Sequence, residues 1–145
     1  LSGINSFAIY MNMEDEVATD LLIDKAFITN KLISSPKCID NENMVMAKID
    51  SRFKFTRGQL NIKEPTGMII DKNEIEVIIV PMVAFDTCGV RIGHNKGYYD
   101  RYLSDYNGLM IGIAYQYQEV DSILKEDHDI NMDMIITEQN IYMIA

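Results

Sequence analysis

The sequence predicts a single layered α/β domain over residues 1–145, with a mostly parallel central sheet flanked by helices. Three observations lead there. Apolar strand-like runs alternate with segments of helical spacing along the chain, the pattern of a sheet built with crossovers. "IEVIIVP" (75–81) is a continuous β-branched run that suits a strand buried on both faces. Beyond a glycine-bearing loop, Tyr99, Tyr102, Leu103 and Tyr106 recur at i, i+3, i+4 and i+7, which marks a helix returning over the sheet.

The remaining elements follow in order. "SFAIYMNM" (6–13) reads as a first strand. After "EDEV", Thr19 or Asp20 can cap a helix over "DLLIDKAFITN", with Leu21, Leu22, Lys25, Ala26 and Ile28 on its mostly apolar face. "KLISSPK" is a short strand stopped by Pro36, and "NMVMAKI" is another. The punctuation of Gly58, Pro65 and Gly67 makes "RFKFTRGQLNIKEPTG" a loop. Asn107-Gly108 ends the tyrosine-bearing helix, and "LMIGIAY" is the next strand. "VDSILKED" reads as a short helix, and "MDMIITEQNIYMI" as two closing strands around Glu138–Asn140.

Composition narrows the function. A hydrophobic share of 48% with 24% charged residues is that of a folded domain. A formal net charge of −9 argues against nucleic acid or an anionic membrane as partner. No apolar run is long enough for a membrane span, and the first residues lack secretory-signal features. Cys38 and Cys88 match no metal or redox spacing and are expected as reduced thiols in a cytoplasmic protein.

Against that acidity, "VAFDTCGVRIGHNKGYYDRYL" (83–103) gathers Arg91, His94, Lys96 and Arg101. Ligands of open α/β sheets sit beyond the carboxyl ends of the strands, where this loop should lie. Helix-start amides near Gly97 favour an anion, Lys96 adds a point charge, and Gly93 and Gly97 allow close approach of backbone. The spacing matches neither the Walker loop nor the dinucleotide fingerprint. The residues alone leave two readings open, a phosphate cradle and a solvated surface loop.

"GVRIGHNKGYYDRYL", preceded by "VPMVAFD", resembles the signature of the 5-formyltetrahydrofolate cyclo-ligases, also called methenyltetrahydrofolate synthetases. "YMNMEDEVAT", "NIKEPTG" and "HDINMDMIITE" fall in the family's order, so the resemblance covers nearly the whole chain. It implies a NagB/RpiA/CoA-transferase-like sheet and an enzyme that closes 5-formyltetrahydrofolate into 5,10-methenyltetrahydrofolate with ATP and Mg²⁺. By position, Arg91, Ile92, Gly93, His94, Asn95, Lys96, Gly97, Tyr98 and Tyr99 would form the ATP loop, with His94 to Tyr98 also facing the folate. Lys96 and Arg91 would stabilise charge on the transferring phosphoryl group. Met11 and Glu16 would contact folate, and Asp100 and Asp133 would hold Mg²⁺. The implied partners are 5-formyltetrahydrofolate and ATP, and the expected assembly is a monomer.

Plainer roles suit several of these residues by type. Asp100 is favourable in a first helical turn without any metal, and Asp133 suits a turn. Glu16 belongs to an acidic run, the tyrosines to a core, and His128-Asp129 to a surface turn without assigned role. Asn95 stands where the family usually has glycine; Asn is the non-glycine residue that best tolerates left-handed geometry. Family members also carry a basic helical segment ahead of the first strand, whereas this sequence begins almost at that strand. The expectation is a chain that folds and binds folate but holds ATP weakly. The alternatives are a non-catalytic folate- or nucleotide-binding relative and a sugar-phosphate isomerase-like enzyme.

Overall fold

The computed structural model describes residues 3–51, 54–58, 62–94 and 97–144. The chain runs through β1 (Ser6–Ile9), α1 (Asp20–Ile28), β2 (Leu32–Cys38) and β3 (Met44–Lys48). A hairpin of β4 (Phe55–Arg57) and β5 (Lys63–Pro65) follows, then β6 (Ile69–Ile70) and β7 (Val77–Pro81). A second small hairpin, β8 (Ala84–Phe85) and β9 (Arg91–Ile92), leads to α2 (Tyr98–Leu103). The chain closes with β10 (Leu109–Ile113), β11 (Met134–Ile136) and β12 (Ile141–Met143).

Eight strands form one sheet in the order β12-β11-β10-β7-β1-β2-β3-β6. The inner pairings, from β11 through β10, β7 and β1 to β2, are parallel, and the outer ones are antiparallel. The "VIIVP" run of β7 is central and buried along its whole length. Its side chains alternate between two cores, as period-2 geometry requires. Val77 and Ile79 join Phe7, Ile9, Ile23 and Ala26 on the α1 side. Ile78 and Val80 join Ala8, Tyr102 and Leu103 on the α2 side. Burying each such large aliphatic side chain contributes about 1.5–3 kcal/mol.

This topology decides where a ligand can sit. From β1 the chain crosses through α1 to β2 on one side, whereas β7 leads through α2 to β10 on the other. The two crossovers diverge between β1 and β7. That is a topological switch point, and the loops leaving the two strands separate to open a cleft there.

Four local expectations are corrected by tertiary context. β2 runs through Pro36 to Cys38. Pairing with β1 ends at Ser34, so Pro36 lies on an edge-like stretch where its missing N–H is tolerated. The expected loop after β3 contains the β4–β5 hairpin, since Gly58 leaves room against the Glu64 carboxylate and Glu64 Oε2 accepts from Cys38 N at 2.9 Å. "VDSILKED" is not helical, because its backbone is drawn out along β8: Val120 N donates to Phe85 O at 2.8 Å, and Ile123 N to Asp86 Oδ2 at 3.0 Å. In α1 the inward residues are Ile23 and Ala26, while Leu21 and Ile28 remain more than four-fifths exposed at 85% and 83%.

Candidate active site

The cleft at the switch point has a volume of about 500 Å³ and is walled by the loops after β1 and β7, the β2–β3 end, and the 123–129 segment. The loop after β1 is held by its own side chains. Tyr10 donates its hydroxyl to Val17 O at 2.8 Å, and Thr19 Oγ1 donates to Tyr10 O at 2.9 Å. Thr19 therefore ties the loop shut rather than capping α1 with its side chain. Glu16 is folded into this loop and buried, with Oε1 accepting from Met13 N at 2.7 Å. Burial raises its carboxyl pKa, although the Met13 amide and His94 pull the other way. Met11 and Glu16, the expected folate contacts, both line the cleft.

On the opposite wall, Arg91 of β9 lies 5.5 Å from the Tyr99 ring centroid. Its Nε and the Tyr99 hydroxyl are buried atoms without a hydrogen-bond partner among the described residues. A buried donor without an acceptor is costly unless a ligand supplies one. Burial pulls the Arg91 pKa down and Asp100 pushes it back, yet a guanidinium stays charged in proteins. Burial also holds Tyr99 as a neutral phenol. A Cβ on Gly93 would stand 2.7 Å from Arg91 Nη2, so that glycine serves close approach to the guanidinium. Gly97 has a different reason: its φ of 65° is left-handed at the start of α2.

α2 is only six residues long, so its dipole is a minor source of positive field and the anion-facing charge rests on side chains. The helix is anchored to the β2–β3 turn, where Tyr98 donates to Asp40 O at 3.0 Å and Arg101 Nε to Glu42 O at 2.5 Å. His94, at the mouth, pairs with Asp15 at 3.0 Å and lies 3.9 Å from Glu16, bridging the two loops. Ile92, Gly93, Gly97 and Asp100 complete this wall. Asn95 and Lys96 lie outside the described residues.

Of the two aspartates expected to share a metal, Asp100 lines the cleft and Asp133 does not. Asp133 is absent from the cleft; its Oδ2 accepts from Met110 N at 2.8 Å and its backbone N–H donates to Met110 O, which fastens β11 to β10. Beside Asp100 instead lie His128 and Asp129, whose potential ligand atoms and that of Asp100 all fall within 4.8 Å of one another. Asp100 Oδ1 accepts from Ile130 N at 3.3 Å and Asp129 Oδ2 from Glu126 N at 2.9 Å, while Asp129 Oδ1 lies 3.6 Å from His128 Nε2. Sequence reasoning passed over Asp129 because His128-Asp129 looks like an ordinary exposed turn. Its signal was the "HDINMD" stretch itself, in which two acids four residues apart competed for one role.

A mostly parallel sheet with a cleft at its switch point, where the buried Arg91 Nε lacks an acceptor and carboxylates stand close by, places the chain in the α/β class of ligand-binding architectures. The chain belongs to the 5-formyltetrahydrofolate cyclo-ligase family, whose model matches residues 4–138. It is 35% identical to a Schizosaccharomyces pombe protein named "Probable 5-formyltetrahydrofolate cyclo-ligase", over 92% of this chain and 74% of that one. It is 33% identical to the 5-formyltetrahydrofolate cyclo-ligase of Mycoplasma genitalium, over 92% and 72% of the two chains. The solved structure of Aquifex aeolicus 5,10-methenyltetrahydrofolate synthetase superposes with a TM-score of 0.85 at 31% identity, covering 98% of this chain and 73% of that one.

Proposed function

We propose that this chain converts 5-formyltetrahydrofolate to 5,10-methenyltetrahydrofolate with ATP as phosphoryl donor and Mg²⁺ as its cation. The observation that carries the reading is the buried Arg91 Nε and Tyr99 hydroxyl, both lacking acceptors, in the one wall that also presents Asp100. Phosphate oxygens would satisfy both donors, and a charge-assisted bond from Arg91 is the stronger of the two.

Chemically, the formyl oxygen attacks the γ-phosphorus and ADP leaves. N10 of the folate then adds to the activated formyl carbon, phosphate departs, and N10 loses its proton. The protein supplies position and charge rather than a covalent partner. Glu16, held by the Met13 amide, would accept hydrogen bonds from the pterin, with Met11 packing on the ring. Arg91, with Lys96 from the same loop, would hold the phosphoryl group. Asp100 and Asp129 would hold the cation, in place of the expected Asp100 and Asp133, since two carboxylates beside a phosphate site suit a hard divalent ion. Bound there, Mg²⁺ would neutralise phosphoryl oxygen charge.

The proposed setting is a cytoplasmic monomer. Cys38 and Cys88 are not joined in a disulfide, and no described helix is long and apolar enough to cross a membrane. The test is direct: incubate the protein with 5-formyltetrahydrofolate, ATP and Mg²⁺ and follow the methenyl chromophore. ATP-dependent product formation is expected, and its loss in Arg91→Ala ties it to the cleft. Tight binding of folate and ATP without turnover would instead establish a non-catalytic relative.

A further inference from the structure

We infer that the β4–β5 hairpin is the docking arm for the glutamyl end of the folate, and that Lys63 and Arg57 make this chain favour folates carrying several γ-linked glutamates. The inference rests on the proposed reading of the cleft as a folate site. The stretch 51–63 holds Arg52, Lys54, Arg57 and Lys63 and no acid, in a chain of 22 acidic against 13 basic residues. The phosphoryl chemistry proposed above uses none of them.

The fold sets part of this charge beside the cleft. Phe55 and Ile62 pack against the core on the α1 side, and Glu64 Oε2 accepts from Cys38 N at 2.9 Å, which fastens β5 to β2. So anchored, Lys63 lines the cleft. Register sets Arg57 opposite Lys63, so two exposed cations share one face of the hairpin with Cβ atoms about 5 Å apart. Like charges directly opposite one another destabilise a hairpin, a cost that a bound anion offsets. Lys63 pairs with no carboxylate among the described residues, whereas both histidines of the cleft lie against acids.

Topology then says which anion belongs there. In the sheet, β1 lies between β7 and β2. Arg91 follows β7, Met11 and Glu16 follow β1, and Lys63 is fastened to β2. A folate with its pterin at Glu16 and its formyl group toward Arg91 sends its stem the other way, past Pro36 and Met44, to the hairpin. The triphosphate of ATP belongs on the Arg91 side of β1. A single glutamate ends in two carboxylates and each further γ-linked residue adds one, a charge pattern that a run of cations can follow.

Calorimetric titration of the full chain without ATP reads binding apart from turnover. Three ligands are compared: 5-formyltetrahydropteroate, which lacks glutamate, 5-formyltetrahydrofolate, and its triglutamyl form. An exposed ion pair is worth up to about fivefold in affinity, so wild type should bind the triglutamate about tenfold tighter than the monoglutamate. Added salt should shrink that gain. Lys63→Gln should cut the preference to about threefold, and Lys63→Gln with Arg57→Gln to within about twofold, with pteroate binding and the KM for ATP unchanged. Both side chains are exposed, and far-UV circular dichroism checks that the variants are folded. Equal affinity of wild type for mono- and triglutamate, or a preference that the double variant keeps, would overturn the inference while folate binding still upheld the cleft. A raised KM for ATP with the preference intact would assign the hairpin to the nucleotide and overturn it too. Binding of none of the three ligands would overturn the folate reading itself, and the inference with it.

Discussion

Glu16→Gln separates what the cleft needs from what the fold prefers. The substitution keeps shape and the acceptor for Met13 N, which lies 2.7 Å from Oε1, and removes only the charge. Burial is the largest influence on this carboxyl and holds its pKa above the ordinary 4.5. A group whose folded pKa is raised contributes its stability fully below the unfolded value and loses it as pH rises through the folded value. Wild type should therefore lose stability relative to Glu16→Gln as pH climbs from 4.5 through the raised value, and the variant's Tm advantage should be greatest at neutrality. Ligand binding should move the opposite way. A carboxylate accepting hydrogen bonds from a buried ligand contributes about 1.5–3 kcal/mol, so affinity for 5-formyltetrahydrofolate should fall roughly 10- to 100-fold. Thermal melts between pH 4 and pH 8 and calorimetric titration with folate read the two effects separately. A variant that melts lower than wild type at neutral pH and still binds folate normally would refute the assignment: Glu16 would then be a structural carboxylate.

Gly93→Ala should leave Tm nearly unchanged but cut kcat/KM on the order of 100-fold, since its Cβ would stand 2.7 Å from Nη2 and 2.8 Å from Nη1 and push Arg91 out of place. Steady-state kinetics with varied ATP would show this, and wild-type values would mean that Arg91 need not sit where it does. Asp133→Ala should cost about 1–3 kcal/mol by stranding Met110 N, with no change in the Mg²⁺ dependence of activity. Asp129→Asn should do the reverse, raising the Mg²⁺ requirement with little loss of stability; denaturant melts and Mg²⁺ titrations of both variants decide between the two aspartates.

Much of this protein is written in residue order. The β-branched run of β7, buried on both sides, could only be a central strand, and the α/β class follows from its neighbours. The loop from Arg91 to Asp100 was legible as a candidate site because cations and glycines stand out in a chain of net charge −9, and its resemblance to the cyclo-ligase signature favoured a phosphate cradle over a solvated surface loop. Tertiary structure decided what local pattern could not. Whether 120–127 coils or extends depends on Asp86 and Phe85, more than 30 residues away, offering partners to its amides. Pro36 is a strand residue only because β1 stops pairing at Ser34. Asp129 and Asp133 are the same residue type in the same stretch, and no propensity separates them. Hydrogen bonding does: the Met110 amide takes Asp133 into the sheet, while the turn after Glu126 delivers Asp129 and His128 to Asp100, across 28 residues of chain that the sequence alone does not fold up.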